Sequence, residues 1–236
     1  MPVNVKKFRD AAVQCLRAAA VTLACAGCTP QAMLASALVP EGTASILLSH
    51  LQNEEEGNRK LVAELESRKD WDGLARLAEE NLKKDKNNLG WWMVSGYAHS
   101  QAGRHERAAV SYGEMVRLSP DDLLGWELLA QSYRAMGQSQ RAVQTLNNAL
   151  RVRTDAPAIL LLLGQSHEDL RQDDQAVVAY RQLVKAEPGL AAGWLGYGRA
   201  HARLGRVAGY NEAMRELTRL GSPLAAELAK YKPVTR

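Results

Sequence analysis

Residues 89–120 read LGWWMVSGYAHSQAGRHERAAVSYGEMVRLSP, and the stretch that begins at Leu123 repeats the design. Setting Leu89, Leu123, Pro157 and Ala191 under one another, 34 residues apart, keeps register through four units without a gap. Trp92, Trp126, Leu160 and Trp194 then share a column, followed by Gly96, Ala130, Gly164 and Gly198, and by His99, Tyr133, His167 and His201. Further columns hold Gly103, Gly137, Arg171 and Gly205, then Ala108, Ala142, Ala176 and Tyr210, then Tyr112, Leu146, Tyr180 and Met214. A constant period of this length marks stacked supersecondary units, each burying its apolar face against the next.

Each unit reads as two apolar-periodic helices joined by a short turn. The small residue of the Gly96 column lets the second helix approach closely, and the Ala108 column does the same from the other side. Gly103, Gly137 and Gly205 supply the left-handed conformation that ends a first helix, with Arg171 in that place in the third unit. Pro120 and Pro188 close their units. Trp-x-x-Leu-Gly-x-x-Tyr, then Ala-x-x-x-Phe, then Pro, at this period, resembles the tetratricopeptide repeat from about Leu89 to Pro223. The resemblance implies an all-α solenoid of antiparallel helix pairs, with repeats at 89–122, 123–156, 157–190 and 191–222.

Residues 55–88 occupy one more period, with Leu61, Leu65, Leu74, Leu77 and Leu82 at helical spacing but few signature residues. They are expected to form a degenerate capping pair, Arg59 to Lys69 and Trp71 to Lys84, because terminal repeats are commonly atypical. Glu54, Glu55 and Glu56 suit a solvated helix start. Residues 223–236, with Leu224 and Leu228 at i, i+4, are expected to form a closing helix and tail.

All three cysteines of the 236-residue chain, Cys15, Cys25 and Cys28, precede residue 29. Cys25 and Cys28 match Cys-x-x-Cys, but no second ligand pair completes a zinc site, and no strand-to-helix context suits a redox pair. Four cations (Lys6, Lys7, Arg9, Arg17) against Asp10 carry +3 of the formal +4 charge. They precede an apolar run too short to span a bilayer, which takes about 20 residues. That order describes a secretory signal over residues 1–27. Ala26-Gly27-Cys28 resembles the lipobox of bacterial lipoproteins, which implies acylation at Cys28, although Cys25 stands where that family usually has Leu. Cleavage at Ala26 or Ala37, which would release a soluble periplasmic protein, is the alternative, and a cytosolic amphipathic helix is a third reading. Residues 28–54 are expected to be a partly helical tether.

The remaining +1 charge leaves no basic stripe for nucleic acid. No G-x-S-x-G, P-loop or H-E-x-x-H motif is present, so no catalytic residue, cofactor, metal or small-molecule substrate is expected. His99, His167 and His201 run along the stack in one column, which predicts packing with one hydrogen bond each and not a metal site. Trp92, Trp126 and Trp194 are expected between helices, whereas Trp91 is expected to be exposed. Solenoids bind along the groove lined by first helices. The inward candidates are Met93, Tyr97 and Gln101; Leu124, Glu127, Gln131 and Arg134; Leu161, Gln165 and Glu168; and Leu195, Arg199 and Arg203. This mixture of apolar, amide and charged groups suits a helix or extended peptide of a protein partner. The Lys and Asn of carboxylate-clamp repeats are replaced by Met93 and Tyr97. Taken together, the chain looks like the tetratricopeptide lipoproteins that serve secretins and pili, including pilotin and Tad-pilus families. That likeness implies an outer-membrane anchor on the periplasmic face, with the lipid as the membrane contact. The tetratricopeptide parts of cytochrome c maturation systems are the alternative, as a periplasmic chaperone-like module.

Overall fold

The computed structural model describes Ser49, Leu51 and residues 56–233. The expected signal segment, Cys28 and, apart from Ser49 and Leu51, the 28–54 tether lie outside the described residues. The chain divides into two units, residues 1–63 and 64–236. In the first, Leu51 and Val62 are buried and Lys60 pairs with Glu56 at 2.8 Å.

Eleven helices and no strands are found among the described residues. They are α1 (Glu56–Ser67), α2 (Trp71–Lys84), α3 (Leu89–Gln101), α4 (His105–Leu118), α5 (Leu123–Ala135) and α6 (Ser139–Val152), then α7 (Pro157–Asp169), α8 (Asp173–Ala186), α9 (Ala191–Arg203), α10 (Val207–Arg219) and α11 (Leu224–Leu228). From α3 onward they pair antiparallel, first helix against second, as the period predicts. Side-chain oxygens of Asp70, Asn88 and Asp122 accept from backbone N–H groups in the first turns of α2, α3 and α5, satisfying donors that helix starts otherwise leave bare. Pro157 opens α7, where its missing N–H costs nothing.

Every first helix ends in the same way. In α3 the Gly103 N–H donates to the Ser100 carbonyl at 3.0 Å and the Arg104 N–H to the His99 carbonyl at 2.8 Å, a Schellman closure that requires positive φ at the residue between. Gly103, Gly137 and Gly205 supply it at φ 71°, 70° and 67°. Arg171 adopts φ 57° in the third repeat, and Lys69, 34 residues before Gly103, adopts φ 55° after α1. Lys69 thus extends the turn column into the degenerate pair, although a Lys gives no sequence signal for it.

The small-residue column works as expected. A Cβ on Gly164 would stand 2.5 Å from the Tyr180 ring, and one on Gly196, in the next repeat, would strike the same ring. Tyr180 is 1% exposed, and Ala108, Ala142 and Ala176 are fully buried. At the far end Leu228, on the short α11, is buried and covers Gly198. First helices α5, α7 and α9 pack on one another across repeats, whereas second helices approach only their sequence neighbours. Across repeats it is therefore the first helices α5, α7 and α9 that face one another.

The tryptophans depart from expectation. Trp91 is not exposed; it is buried to 1%. The reason is that α3 is apolar on nearly all sides and lies between α2 and α4. The indoles of Trp92 and Trp126 are only half buried, and with Trp194 they act through their N–H groups. Each donates to the carbonyl six residues earlier: Lys86 at 2.8 Å, Pro120 at 2.8 Å and Pro188 at 2.9 Å. In these three repeats the column therefore ties the linker to the helix that follows it.

Because a side chain in the left-handed region costs about 1–2 kcal/mol and glycine's extra unfolded freedom offsets part of the gain, Arg171→Gly should stabilise the protein by about 0.5–1 kcal/mol. Urea unfolding of both proteins measures this, and an unchanged or lower midpoint would contradict it.

Candidate partner-binding groove

The candidate groove is the inner face of α3, α5, α7 and α9. Met93 and Leu195, proposed as groove residues, are instead buried at 2% and 4% exposure. Met93 lies on the enclosed α3, and Leu195 lies on α9, which is held between α8, α10 and α11. They pack and present nothing to a partner. Leu124, Leu161 and Tyr97 are half-buried, and Gln101 is exposed. The Tyr97 ring meets Trp71 edge-on at 5.8 Å, and its hydroxyl donates to Glu66 at 3.3 Å.

The charged candidates pair with one another across repeats. Arg134 donates from Nη1 to Gln165 Oε1 at 2.6 Å and from Nε to Asp169 Oδ2 at 2.8 Å, and Ser139 adds a bond to Asp169 at 3.2 Å. Glu168 receives Arg199 at 2.5 Å on Oε2 and Arg203 at 2.6 Å on Oε1. Arg203 also reaches Asp173 at 2.6 Å, and the Tyr180 hydroxyl donates to Glu168 at 2.8 Å from the core side. Glu168 and Arg199 keep only 9% and 16% side-chain exposure, so these are charge-assisted bonds formed largely out of water. Their energetic weight lies in what breaking them would leave: a buried Arg without its anion.

Asp169, Asp173 and Tyr180 were not among the sequence candidates. Asp169 and Asp173 carry the one readable clue, acidic residues near the junction of α7 and α8, but which arginines they meet depends on the rise and rotation between repeats. Burial, and then the negative charge of Glu168, hold the Tyr180 hydroxyl well above its ordinary pKa. It is therefore a neutral donor at any working pH.

Glu127 differs. Gln131 Nε2 donates to its Oε1 at 3.2 Å, and burial pushes its carboxyl up to about 7. The inner face is thus rigid and self-neutralised around α7 and α9. Around α5 it carries a titratable carboxyl beside an amide and the half-buried Leu124.

The histidine column also differs from the reading of one bond apiece. His167 shares a 2.8 Å bond with Gln172, but His99 and His201 are buried and neither ring nitrogen of His201 has a hydrogen-bond partner. Burial, then Arg104 for His99 and Arg206 for His201, lower both pKa values. The His201 ring packs 4.4 Å from Tyr197 and fills the space at Gly209. Among the described residues, no group of three His, Cys, Asp or Glu stands at metal-binding spacing.

The model of the family described as tetratricopeptide repeat matches residues 128–181 and 169–222. Residues 128–222 are tetratricopeptide repeats. Solved tetratricopeptide structures share the fold. A crystal structure of MamA, 20% identical, superposes with a TM-score of 0.62 over 72% of this chain and 98% of that one. YrrB, described as a tetratricopeptide protein with an unusual peptide-binding site, is 13% identical with a TM-score of 0.59, over 79% of this chain and 99% of its own. The curated tetratricopeptide repeat protein 37 of Xenopus laevis is 32% identical over 59 residues; that is 25% of this chain and 4% of the relative, so the chain spans a small part of that protein's length.

A folded-state pKa near 7 for Glu127, above the ordinary 4.5, favours the protonated carboxyl in the folded protein. The stability this contributes is complete below the ordinary pKa and is lost as pH rises through the folded one. Glu127→Gln should therefore gain stability over the parent between about pH 5 and about pH 8 and level off above. Thermal melts across pH check it; a difference independent of pH would contradict the burial of this carboxyl.

Proposed function

We propose that the chain is a lipid-anchored scaffold that holds a protein segment along the inner face of its repeats. The observation that carries this reading is the pre-ordered side-chain array across α5, α7 and α9, in which Arg134, Gln165, Glu168, Arg199 and Arg203 are fixed by mutual bonds before any partner arrives. A face that has already lost its rotamer freedom pays less entropy on binding. Beside it, Gln131, Leu124, Leu161 and Gln101 offer amide and apolar contacts to a helix or extended peptide. The fold likeness to YrrB, described as having an unusual peptide-binding site, supports the same reading.

The anchor part rests on sequence. Cys28 follows Ala26-Gly27 at the end of a short apolar run behind a basic segment, the order of a lipoprotein signal. Thr29 after the acylated Cys, in place of Asp, favours outer-membrane sorting on the periplasmic side. Tethering a weak groove to a membrane raises its effective concentration near membrane partners. The partner class that fits is a subunit of an envelope machine such as a pilus or secretin, with this chain assisting assembly. Ala24-Cys25-Ala26 and Ala35-Ser36-Ala37 favour the second reading, a soluble periplasmic chaperone-like module.

One experiment separates these parts: a photo-crosslinking amino acid at Gln131, with Val178 on the outer face as control, in cells fed labelled palmitate and expressing the parent or Cys28→Ala. The proposal expects a palmitate-labelled membrane protein, loss of label in Cys28→Ala, and one discrete adduct with an envelope-complex subunit from Gln131 but not from Val178. An unlabelled protein in the soluble periplasm would overturn the anchor, and equal adducts from the two positions would overturn the groove. Capture of an apocytochrome would favour the chaperone-like reading.

A further inference from the structure

The inner face repeats its positions but not its bonds. Around α7 and α9, Tyr180, Glu168, Arg199 and Arg203 interlock. Two periods of 34 residues earlier, the same positions hold Tyr112, Ser100, Gln131 and Ala135. A Cβ on Gly96 would strike the Tyr112 ring as one on Gly164 would strike Tyr180, so the two phenols are seated alike. With Ser100 where the later repeat has a glutamate, the Tyr112 hydroxyl makes no hydrogen bond among the described residues, although Tyr112 is only 3% exposed.

Glu127 is the second unmet group. It stands on α5 in the column of Met93, Leu161 and Leu195, where a half-buried carboxyl costs stability that an apolar side chain would not. Asp169, Glu168 and Asp173 each receive an arginine from a neighbouring repeat. Glu127 receives none: among the described residues its Oε1 accepts from Gln131, and no hydrogen bond or ion pair reaches its Oε2. Arg134, the cation on the same helix, turns to Gln165 and Asp169 instead. Burial alone raises the Glu127 pKa, with no cation to offset it.

We infer that Glu127 receives a lysine or arginine side chain of the bound protein segment, with the cation on Oε2 and the aliphatic stem along Leu124 and Leu161. This rests on the inner face as the binding surface and adds the charge of what it binds. Leu124 stands one turn before Glu127 on α5, and Leu161 takes the same position on α7. Both are half-buried and form the apolar bed on which a Lys or Arg stem lies. A carboxylate largely out of water gains most from a cation, because charge-assisted bonds are stronger than neutral ones and are screened less there. The chain itself uses that pairing at Glu168, which its own arginines already fill; the incoming cation is therefore directed to α5. The Tyr112 hydroxyl is a donor and suits a backbone carbonyl of the same segment.

The test selects displayed random peptides on the full chain at about pH 8, above the Glu127 pKa of about 7. Peptides that shift backbone amides of α5 and α7 by NMR are expected to carry a Lys or Arg at one fixed position. Replacing that residue by norleucine should weaken binding about tenfold or more, Glu127→Gln should weaken the unchanged peptide by a similar factor, and the two changes together should cost little more than either. Glu127→Gln is expected to melt no lower than the parent, so lost binding is not lost fold. Inner-face peptides with no fixed basic residue, or with one whose replacement and Glu127→Gln act additively, would overturn the pairing with a cation and leave the groove standing. Peptides that shift only outer-face amides, or a selection that yields none, would overturn the groove itself and the pairing with it.

Discussion

Tyr180 joins the buried core of the stack to its inner surface. Its ring fills the space left by Gly164 in its own repeat and Gly196 in the next, so α7, α8 and α9 meet on one side chain. Its hydroxyl emerges on Glu168 at 2.8 Å, and that carboxylate gathers Arg199 and Arg203 from the following repeat. A larger residue at either glycine would push the ring, and with it the carboxylate that the arginines hold. The ring's burial also keeps the hydroxyl protonated, so the donor in this chain of bonds does not titrate away.

This arrangement gives the paired charges a role that differs from simple stabilisation. Two arginines on one largely buried carboxylate recover little net energy over a well-packed apolar substitute. What they add is register, because Glu168 reaches its partners at separations of 31 and 35 residues, which only one rise and rotation between repeats permits. The same bonds leave the surface near α7 and α9 neutral and rigid before binding. The contrast lies at α5, where Glu127 has an amide neighbour and a raised pKa.

The repeating architecture could be read from the sequence because the period encodes packing directly. A residue such as Gly96 or Ala142 recurs every 34 positions because the same close approach recurs. The paired helices followed from that, and the closing helix from Leu224 and Leu228 at i, i+4. The left-handed Lys69 did not, since a Lys satisfies the turn by conformation and not by type. Counting round a helix places Trp91 on an exposed face and Met93 and Leu195 in the groove, yet α3 and α9 are enclosed on more than one side, so the count misjudges what their neighbours cover. The inner-face residues were located in large part, but their mutual pairing was not legible, because it depends on the offset between repeats. The indole column was visible as a column of large side chains; its hydrogen bonds were not, because the acceptors are backbone carbonyls that carry no sequence signal.

The central claim is that core packing and inner-face charge form one coupled unit at Tyr180 and Glu168. A double-mutant cycle with Tyr180→Phe, Glu168→Gln and the combination, measured by urea unfolding, tests it most directly. Coupling of about 1–2 kcal/mol is predicted for groups bonded at 2.8 Å out of water. Additivity within about 0.3 kcal/mol would contradict it, because the two residues would then act independently.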